Sequence, residues 1–178
     1  MLKNILLLFG TILLMVGCSA VSVTNDYDPG VDFSNFKTFA LYQGTINGSV
    51  LESVPLVKRR VLEAISKEMI KKGLTQADTS NADLLIYTQA GTTEKINVRD
   101  YGYHYGSWWG RYPYERNIDV SYYTQASLII DLVANAKDEL IWRGIGTGVV
   151  QESGTPEERQ QKVDEAVAEI LGQYPPVK

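Results

Sequence analysis

The chain has 178 residues and a formal net charge of −4, and its length suits one domain with a sizeable hydrophobic core. Mild acidity without a run of basic residues argues against nucleic acid as a partner. The single cysteine, Cys18, excludes an internal disulfide, so the stability of the domain has to come from packing.

The first 17 residues predict a secretory signal peptide. One basic residue, Lys3, precedes an apolar run from Ile5 to Val16. This run is too short to cross the ~30 Å hydrocarbon core of a bilayer as a helix, and such a run is typical of a signal that is removed during export. Removal of residues 1–17 would leave a mature chain that begins at Cys18.

The residues before the expected cleavage site resemble the lipobox of bacterial lipoproteins. They read Met15-Val16-Gly17-Cys18, with Met15 in place of the usual leucine. The resemblance implies that the thiol of Cys18 is diacylated, and two or more acyl chains give a stable membrane anchor. Ser19 differs from the Asp of the inner-membrane retention signal, which implies the periplasmic face of the outer membrane. In the alternative interpretation the protein is simply secreted and Cys18 is incidental.

The mature chain is predicted to begin with a short tether followed by a single domain. Residues 18–24 form the lipidated N-terminus and the tether, which turns into a first strand where Val21 and Val23 alternate with polar residues. Residues 25–178 form the domain. A turn is predicted at Asp28-Pro29-Gly30, because Pro fixes φ and Gly accepts positive φ.

The next predicted elements are a strand, a helix and a second strand. The strand covers Thr38–Tyr42. The helix covers Pro55–Lys72, because apolar residues recur at steps of three and four; Ser53 and Pro55 suit its start, and Gly73 suits a left-handed stop. The short apolar stretch Ala82–Gln89 then favours a strand beneath this helix.

Two further strands are predicted over Tyr122–Val133 and Leu140–Val150. In the first, apolar residues alternate with Ser127 and Asp131, as expected for a sheet covered on one side. Leu140 and Trp142 are expected to continue the apolar face, with Trp142 beneath a helix.

The last helix has the clearest local signals. Thr155 suits the N-cap, Pro156 the first turn and Glu158 the capping box, and Gly172 and Pro175-Pro176 end the helix. Taken in order, the elements predict an α+β fold: a two-layer sandwich with a largely antiparallel or mixed sheet and two helices packed on one face.

Several short motifs, in this order, resemble the lipoproteins of the domain of unknown function 4136 family. The resemblance spans nearly all of the mature chain and implies a periplasm-facing bacterial lipoprotein domain; the family supplies no activity or catalytic residue to transfer. The motifs are Asp26-Tyr27-Asp28-Pro29, Asp32-Phe33-Ser34, Phe36-Lys37-Thr38-Phe39-Ala40, Ala82-Asp83, Leu128-Ile129-Ile130-Asp131-Leu132, Leu140-Ile141-Trp142-Arg143-Gly144 and Tyr174-Pro175-Pro176.

An aromatic and Gly-rich loop is predicted at residues 99–121. The stretch Tyr101–Tyr123 holds seven of the eleven Tyr and two of the three Trp. Aromatic rings combine large apolar area with a polar tip, which suits protein interfaces or glycan stacking. In the alternative the loop packs on its own sheet or stays mobile. The predicted partner-binding residues are Tyr101, Tyr103, His104, Tyr105, Trp108, Trp109, Arg111, Tyr112 and Tyr114.

Two motifs admit a ligand interpretation and a structural one. Asp26, Asp28 and Asp32 offer oxygen ligands to calcium but lack the distal Glu of an EF-hand, so they are predicted to cap turns. The glycines of Gly144–Gly148 resemble a phosphate loop, but no helix follows directly. They are predicted to lie in a sheet region where backbone or a ring approaches closely.

The sequence contains no recognisable catalytic constellation. His104 is the only histidine and no Gly-x-Ser-x-Gly elbow occurs. We therefore expect a non-catalytic lipoprotein without cofactor or metal that binds or scaffolds an envelope protein or glycan. The alternatives are a periplasmic hydrolase of glycan or peptide and a purely structural lipoprotein.

Overall fold

A six-stranded mixed sheet forms one layer of the protein, and two helices cover one of its faces. The computed structural model describes residues 21–100, 118–149 and 154–176. The strand order is β1-β6-β5-β4-β2-β3, with β2 parallel to both β3 and β4 and the remaining pairs antiparallel. The predicted fold class is confirmed. The strands are β1 Ser22–Tyr27, β2 Thr38–Leu41, β3 Thr75–Gln76, β4 Leu84–Asp100, β5 Ile118–Ala134 and β6 Glu139–Val149.

Helix α1 spans Pro55–Lys71 and ends as predicted at Gly73, which has a φ of 88°. The expected role of Ser53 at its start is wrong. The N-cap is Val54, whose side chain makes no capping hydrogen bond, because Ser53 belongs to a preceding 3₁₀ turn and its hydroxyl donates to the Val50 carbonyl at 2.8 Å.

Helix α2 spans Pro156–Gly172 and begins with the predicted capping box. The Glu158 N–H donates to Thr155 Oγ1 at 3.2 Å, and the Thr155 N–H donates to Glu158 Oε2 at 2.8 Å. Two backbone donors that have no partner within the helix are thereby satisfied. None of the helices within residues 21–100, 118–149 and 154–176 is both long and apolar enough to span a bilayer.

The core lies between the helices and one face of the sheet. Trp142 is fully buried there, as predicted, and meets the ring of Tyr174 edge-on at a centroid distance of 5.7 Å. Each of the other main core residues is at most 3% exposed. They are Val61, Ile65 and Met69 of α1, Val167, Ile170 and Leu171 of α2, and Phe39, Leu84, Ile86, Ile130 and Leu132 of the sheet.

The glycines of β6 allow α2 to approach the sheet closely. A Cβ atom on Gly144 would lie 2.6 Å from Ile170 Cγ2 and against the Trp142 ring, and one on Gly146 would lie 2.6 Å from Ile170 Cδ1. These distances are far inside van der Waals contact. The prediction that these glycines mark a close approach is confirmed.

The expectation that Leu140 and Trp142 share a face is wrong. Trp142 pairs with Leu132, but Leu140 pairs with Val133, so the register shifts at this point. Ile141 is the extra residue of this bulge. Leu140 consequently lies opposite Val133 and is 48% exposed, whereas Ile141 is 2% exposed.

Asp83 joins β2 to the start of β4. Its Oδ2 accepts hydrogen bonds from the backbone N–H groups of Lys37 and Thr38 at 2.8 and 2.9 Å, and its own N–H donates to Thr38 Oγ1 at 2.9 Å. Hydrogen bonds from these donors hold the pKa of Asp83 below its usual value, and the bond from the Lys37 N–H has the largest effect. They lower the pKa because they favour the carboxylate over the protonated acid. The Ala82-Asp83 motif therefore sets the register between two parallel strands.

Candidate binding surface

Within the described residues, strands β4 and β5 extend beyond the end of β6. They pair without interruption from Leu84↔Ala134 to Asp100↔Ile118, whereas the described part of β6 ends at Val149, opposite Gln125. Among the described residues, seven residue pairs, 94–100 with 118–124, continue past β6 as a two-stranded ladder, which we call the arm. At about 3.3 Å per residue the arm is roughly 20 Å long.

The expected loop boundaries at 99–121 and the predicted strand limits at Gln89 and Tyr122 are therefore wrong. β4 continues to Asp100 and β5 begins at Ile118. Sequence reasoning missed these extensions because residues 90–100 are largely polar, so no apolar face distinguishes a strand from a loop. Cross-strand pairing rather than burial holds them extended.

All nine predicted partner-binding residues, Tyr101 to Tyr114, lie outside the described residues, and so does Cys18. The structure does define the flanks of the aromatic segment, residues 101–117. Asp100 and Ile118 are cross-strand partners, so both ends of this segment start from the tip of the arm.

The sheet face opposite the helices carries an ion pair that sequence reasoning missed. Arg143 of β6 donates from Nε to Asp131 Oδ1 at 2.6 Å and from Nη2 to Oδ2 at 2.7 Å. Asp131 is 6% exposed because Arg143 covers it. The hydrogen bond to Asp131 raises the pKa of Arg143. The sequence feature that could have indicated this ion pair is an acidic residue, Asp131, within an apolar strand, together with a basic residue, Arg143, directly after the core residue Trp142.

Aromatic and aliphatic side chains surround this ion pair on the open face. The rings of Tyr42 and Tyr87 stack at a centroid distance of 4.5 Å with an interplanar angle of 28°, and Tyr87 is the cross-strand partner of Asp131. Burial, with smaller contributions from Asp138 and Tyr42, raises the pKa of Tyr87. Leu85, Ile129, Val133 and Ile145 occupy neighbouring positions and are half-buried.

Of the three aspartates at the start of the domain, Asp28 and Asp32 cap turns, as predicted, whereas the prediction is wrong for Asp26, which lies within β1. Asp28 Oδ1 accepts from the Gly30 N–H at 2.8 Å, and Asp32 Oδ1 accepts from the Ser34 N–H at 3.1 Å. Asp26 Oδ1 accepts from the next N–H in the chain at 2.9 Å. Across residues 21–100, 118–149 and 154–176, no cluster of three His, Cys, Asp or Glu side chains could hold a metal ion.

A shallow groove of about 450 Å³ lies between β2 and α1. Leu41, Leu62 and Ser66 line it, and Glu63 is the one carboxylate among its described lining residues. Glu63 pairs with Arg59 at 3.7 Å. Glycoside hydrolysis requires two facing carboxyl groups, and the described lining of this groove supplies one.

Comparison with known proteins identifies the family. Residues 23–176 match the family described as "Domain of unknown function (DUF4136)". The chain belongs to the DUF4136 family. This confirms the resemblance drawn from the short motifs, and Ala82-Asp83, Asp131 and Trp142 now have structural roles within the DUF4136 domain. No curated protein matches the chain in sequence.

Three solved structures are similar to this DUF4136 chain at low sequence identity, and the first of them shares its fold. A PDZ domain protein from Parabacteroides distasonis has a TM-score of 0.54 and 21% identity; the match covers 89% of this chain and 36% of that protein, so the chain spans about a third of its length. A DUF4136 family protein from Bacteroides thetaiotaomicron matches at a TM-score of 0.49 and 20% identity over 88% of this chain and 97% of its own. PelC from Paraburkholderia phytofirmans, a dodecamer, matches at a TM-score of 0.48 and 10% identity, and the match covers 85% of this chain and 94% of PelC.

Proposed function

We propose that this DUF4136 protein is a lipid-anchored, periplasm-facing module of the outer membrane that binds or scaffolds another envelope component without catalysis. The anchor is the acylated Cys18. The contact surface is the aromatic segment, with Tyr101, Tyr103, Trp108 and Trp109 as its central residues.

The arm is the observation that carries this proposal. Hairpin connections of two to five residues suffice to join antiparallel strands, yet here 17 residues separate Asp100 from Ile118. The two strands first extend seven residue pairs past the last described residue of β6. A sheet that projects beyond its own core supports a segment presented to a partner, and the composition of that segment suits an interface.

Photo-crosslinking in living cells tests the contact surface. A photoreactive amino acid at Tyr103 or Trp109 of the full chain should crosslink to a defined envelope component, and the crosslink should disappear when Cys18→Ser releases the anchor. The matched control is the same amino acid at Lys137, an exposed turn residue at the opposite end of the sheet.

Each alternative gives a different result. Replacement of residues 101–114 by a short Gly-Ser turn should abolish the crosslinked partnership while the far-ultraviolet circular dichroism of the domain is kept. Unchanged binding after this replacement would contradict the proposal. Turnover of glycan or peptide by the purified protein would indicate a hydrolase, and an absence of both binding and turnover would indicate a purely structural lipoprotein.

A further inference from the structure

Strand β3 covers only part of the sheet edge beside β2. Its last residue, Gln76, pairs with Phe39, and the following Ala77 N–H still donates to the Phe39 carbonyl at 2.9 Å. The chain then enters a turn at residues 79–81 and continues to β4, on the other side of β2. The space beside Leu41, where β3 would run if it were longer, is therefore not filled by β3. We call this space the open lane.

The backbone of Leu41 faces the open lane. Successive residues of a strand direct their N–H and C=O groups alternately to one neighbouring strand and to the other. The Tyr42 N–H donates to the Ile86 carbonyl of β4 at 2.9 Å, whereas the Phe39 carbonyl accepts from Ala77 on the opposite side. Leu41 lies two residues after Phe39, so its N–H and C=O point into the lane. Within residues 21–100, 118–149 and 154–176, neither group has a hydrogen-bond partner.

The groove of about 450 Å³ lies at the open lane. The sheet contributes Leu41 and Gln76 to its lining, and α1 contributes Arg59 and Leu62. Leu41 is 8% exposed, and a backbone donor and acceptor without partners at such a buried residue are destabilising. A ligand that supplied an acceptor and a donor at this position would stabilise the edge of β2.

These features define the chemistry of the ligand. An extended backbone offers a C=O and an N–H at the spacing that the edge of a strand requires, which is the basis of peptide recognition by strand addition. The volume of the groove lies within the range of small-ligand sites, so the groove accommodates a few residues of extended chain. A short peptide segment therefore fits the open lane.

Charged and apolar side chains at the rim specify the peptide further. Lys58 is already engaged, because its Nζ lies 2.8 Å from Glu52 Oε1. The Arg59 side chain is 69% exposed, and its Nε lies 3.7 Å from Glu63 Oε1, which is too far for a hydrogen bond. Such an exposed pair contributes little, so Arg59 can bind a carboxylate of the peptide. Leu62 offers an apolar contact beside it.

We propose that the open lane binds a short extended peptide of a partner protein by strand addition to β2. The peptide backbone accepts from the Leu41 N–H and donates to the Leu41 carbonyl. An apolar side chain of the peptide packs on Leu62, and an acidic side chain pairs with Arg59. This site uses none of the residues of the aromatic segment and does not depend on the anchor at Cys18.

Amide hydrogen exchange tests the open lane before any ligand is added. In NMR spectra of the mature chain carrying Cys18→Ser, the Leu41 N–H should exchange at least severalfold faster than the Tyr42 N–H, which is bonded to Ile86. Equal protection of the two groups at low protein concentration would show that the lane is already filled and would overturn the inference. Protection of Leu41 that rises with protein concentration, together with a dimer in sedimentation, would indicate a second copy and would also overturn it.

A library of random heptapeptides displayed on phage is the binding probe. Selection on the same protein should enrich peptides in which apolar residues alternate with polar ones and one residue is acidic. The enriched peptide, made synthetically, should slow the exchange of the Leu41 N–H severalfold and shift the signals of Leu62. N-methylation of the peptide residue whose N–H donates to Leu41 should weaken binding about tenfold. N-methylation of the next residue, whose N–H points away, is the matched control and should have little effect.

Charge exchange tests the side-chain contact. Arg59→Glu should weaken binding of the acidic peptide severalfold, and a peptide with Lys in place of its acidic residue should restore it. Lys71→Glu makes the same charge change outside the groove and should leave binding unchanged. The inference would be overturned if no peptide is enriched, if the shifted signals lie away from the groove, or if N-methylation has the same effect at every position. Replacement of residues 101–114 should not alter peptide binding, so this inference and the proposed function can fail separately.

Discussion

Substitution of Gly144 by Ala probes the close contact between α2 and β6. The new methyl carbon would lie 2.6 Å from Ile170 Cγ2 and against the Trp142 ring, and both neighbours are fully buried. A branched carbon and a rigid ring cannot move aside freely, so the cost lies toward the upper end of the ~1–3 kcal/mol typical of overpacking. Alanine also restricts the unfolded chain more than glycine does, which stabilises the folded protein by ~0.4–1 kcal/mol. The expected net loss is about 2 kcal/mol.

The matched control is Gly91→Ala on β4, because a Cβ there meets no heavy atom within 4 Å. This variant should be neutral or more stable by up to ~1 kcal/mol. Thermal and urea unfolding of the mature chain carrying Cys18→Ser measures both variants. For a chain of this size Gly144→Ala should lower the melting temperature by about 4–8 °C. A Gly144→Ala protein that melts at or above the parent, or equal shifts in the two variants, would refute the close packing of α2 on β6.

Three further predictions concern polar contacts. Thr155→Ala should lower the free energy of unfolding by about 1 kcal/mol through loss of the capping box. Thr155→Ser should retain most of the stability that the cap contributes, because its hydroxyl can accept the same hydrogen bond. Equal losses for the two variants in urea titrations would contradict the cap. Because the folded pKa of Asp83 is lowered, its carboxylate stabilises the fold above the unfolded pKa, and this contribution is lost as pH falls through the folded value. Asp83→Asn should therefore show a shallower loss of stability below pH ~4 than the parent, and identical acid titrations would exclude this role. Asp131→Ala should cost about 1 kcal/mol, because Arg143 remains partly solvated; the double variant with Arg143→Met should recover part of the loss, and an additive further loss would show that the two side chains are not coupled.

Local signals allowed some elements to be predicted closely. The start of α2 depends on Thr155, Pro156 and Glu158, which lie within four residues of one another, and the structure has the capping box where it was expected. The end of α1 at Gly73 depends on a single left-handed residue. The two-layer fold follows from apolar periodicity, which the core positions of both helices confirm.

Features that depend on pairing between distant residues were not predicted. The length of β4 is determined by β5, whose register with it runs to Ile118. The bulge at Ile141 depends on the partners of its neighbours in β5. The ion pair of Asp131 and Arg143 likewise requires two strands in a known register. Local sequence signals do not determine the register on which such features depend, and these features include the arm on which the candidate surface rests.

The central claim is that an acylated Cys18 holds this DUF4136 domain at a membrane. Intact-mass analysis of the native protein, extracted from the membrane fraction in detergent, tests it most directly. The account predicts a chain that begins at Cys18 and carries the additional mass of acyl chains. A retained leader, or a mature chain without acyl mass, would contradict it.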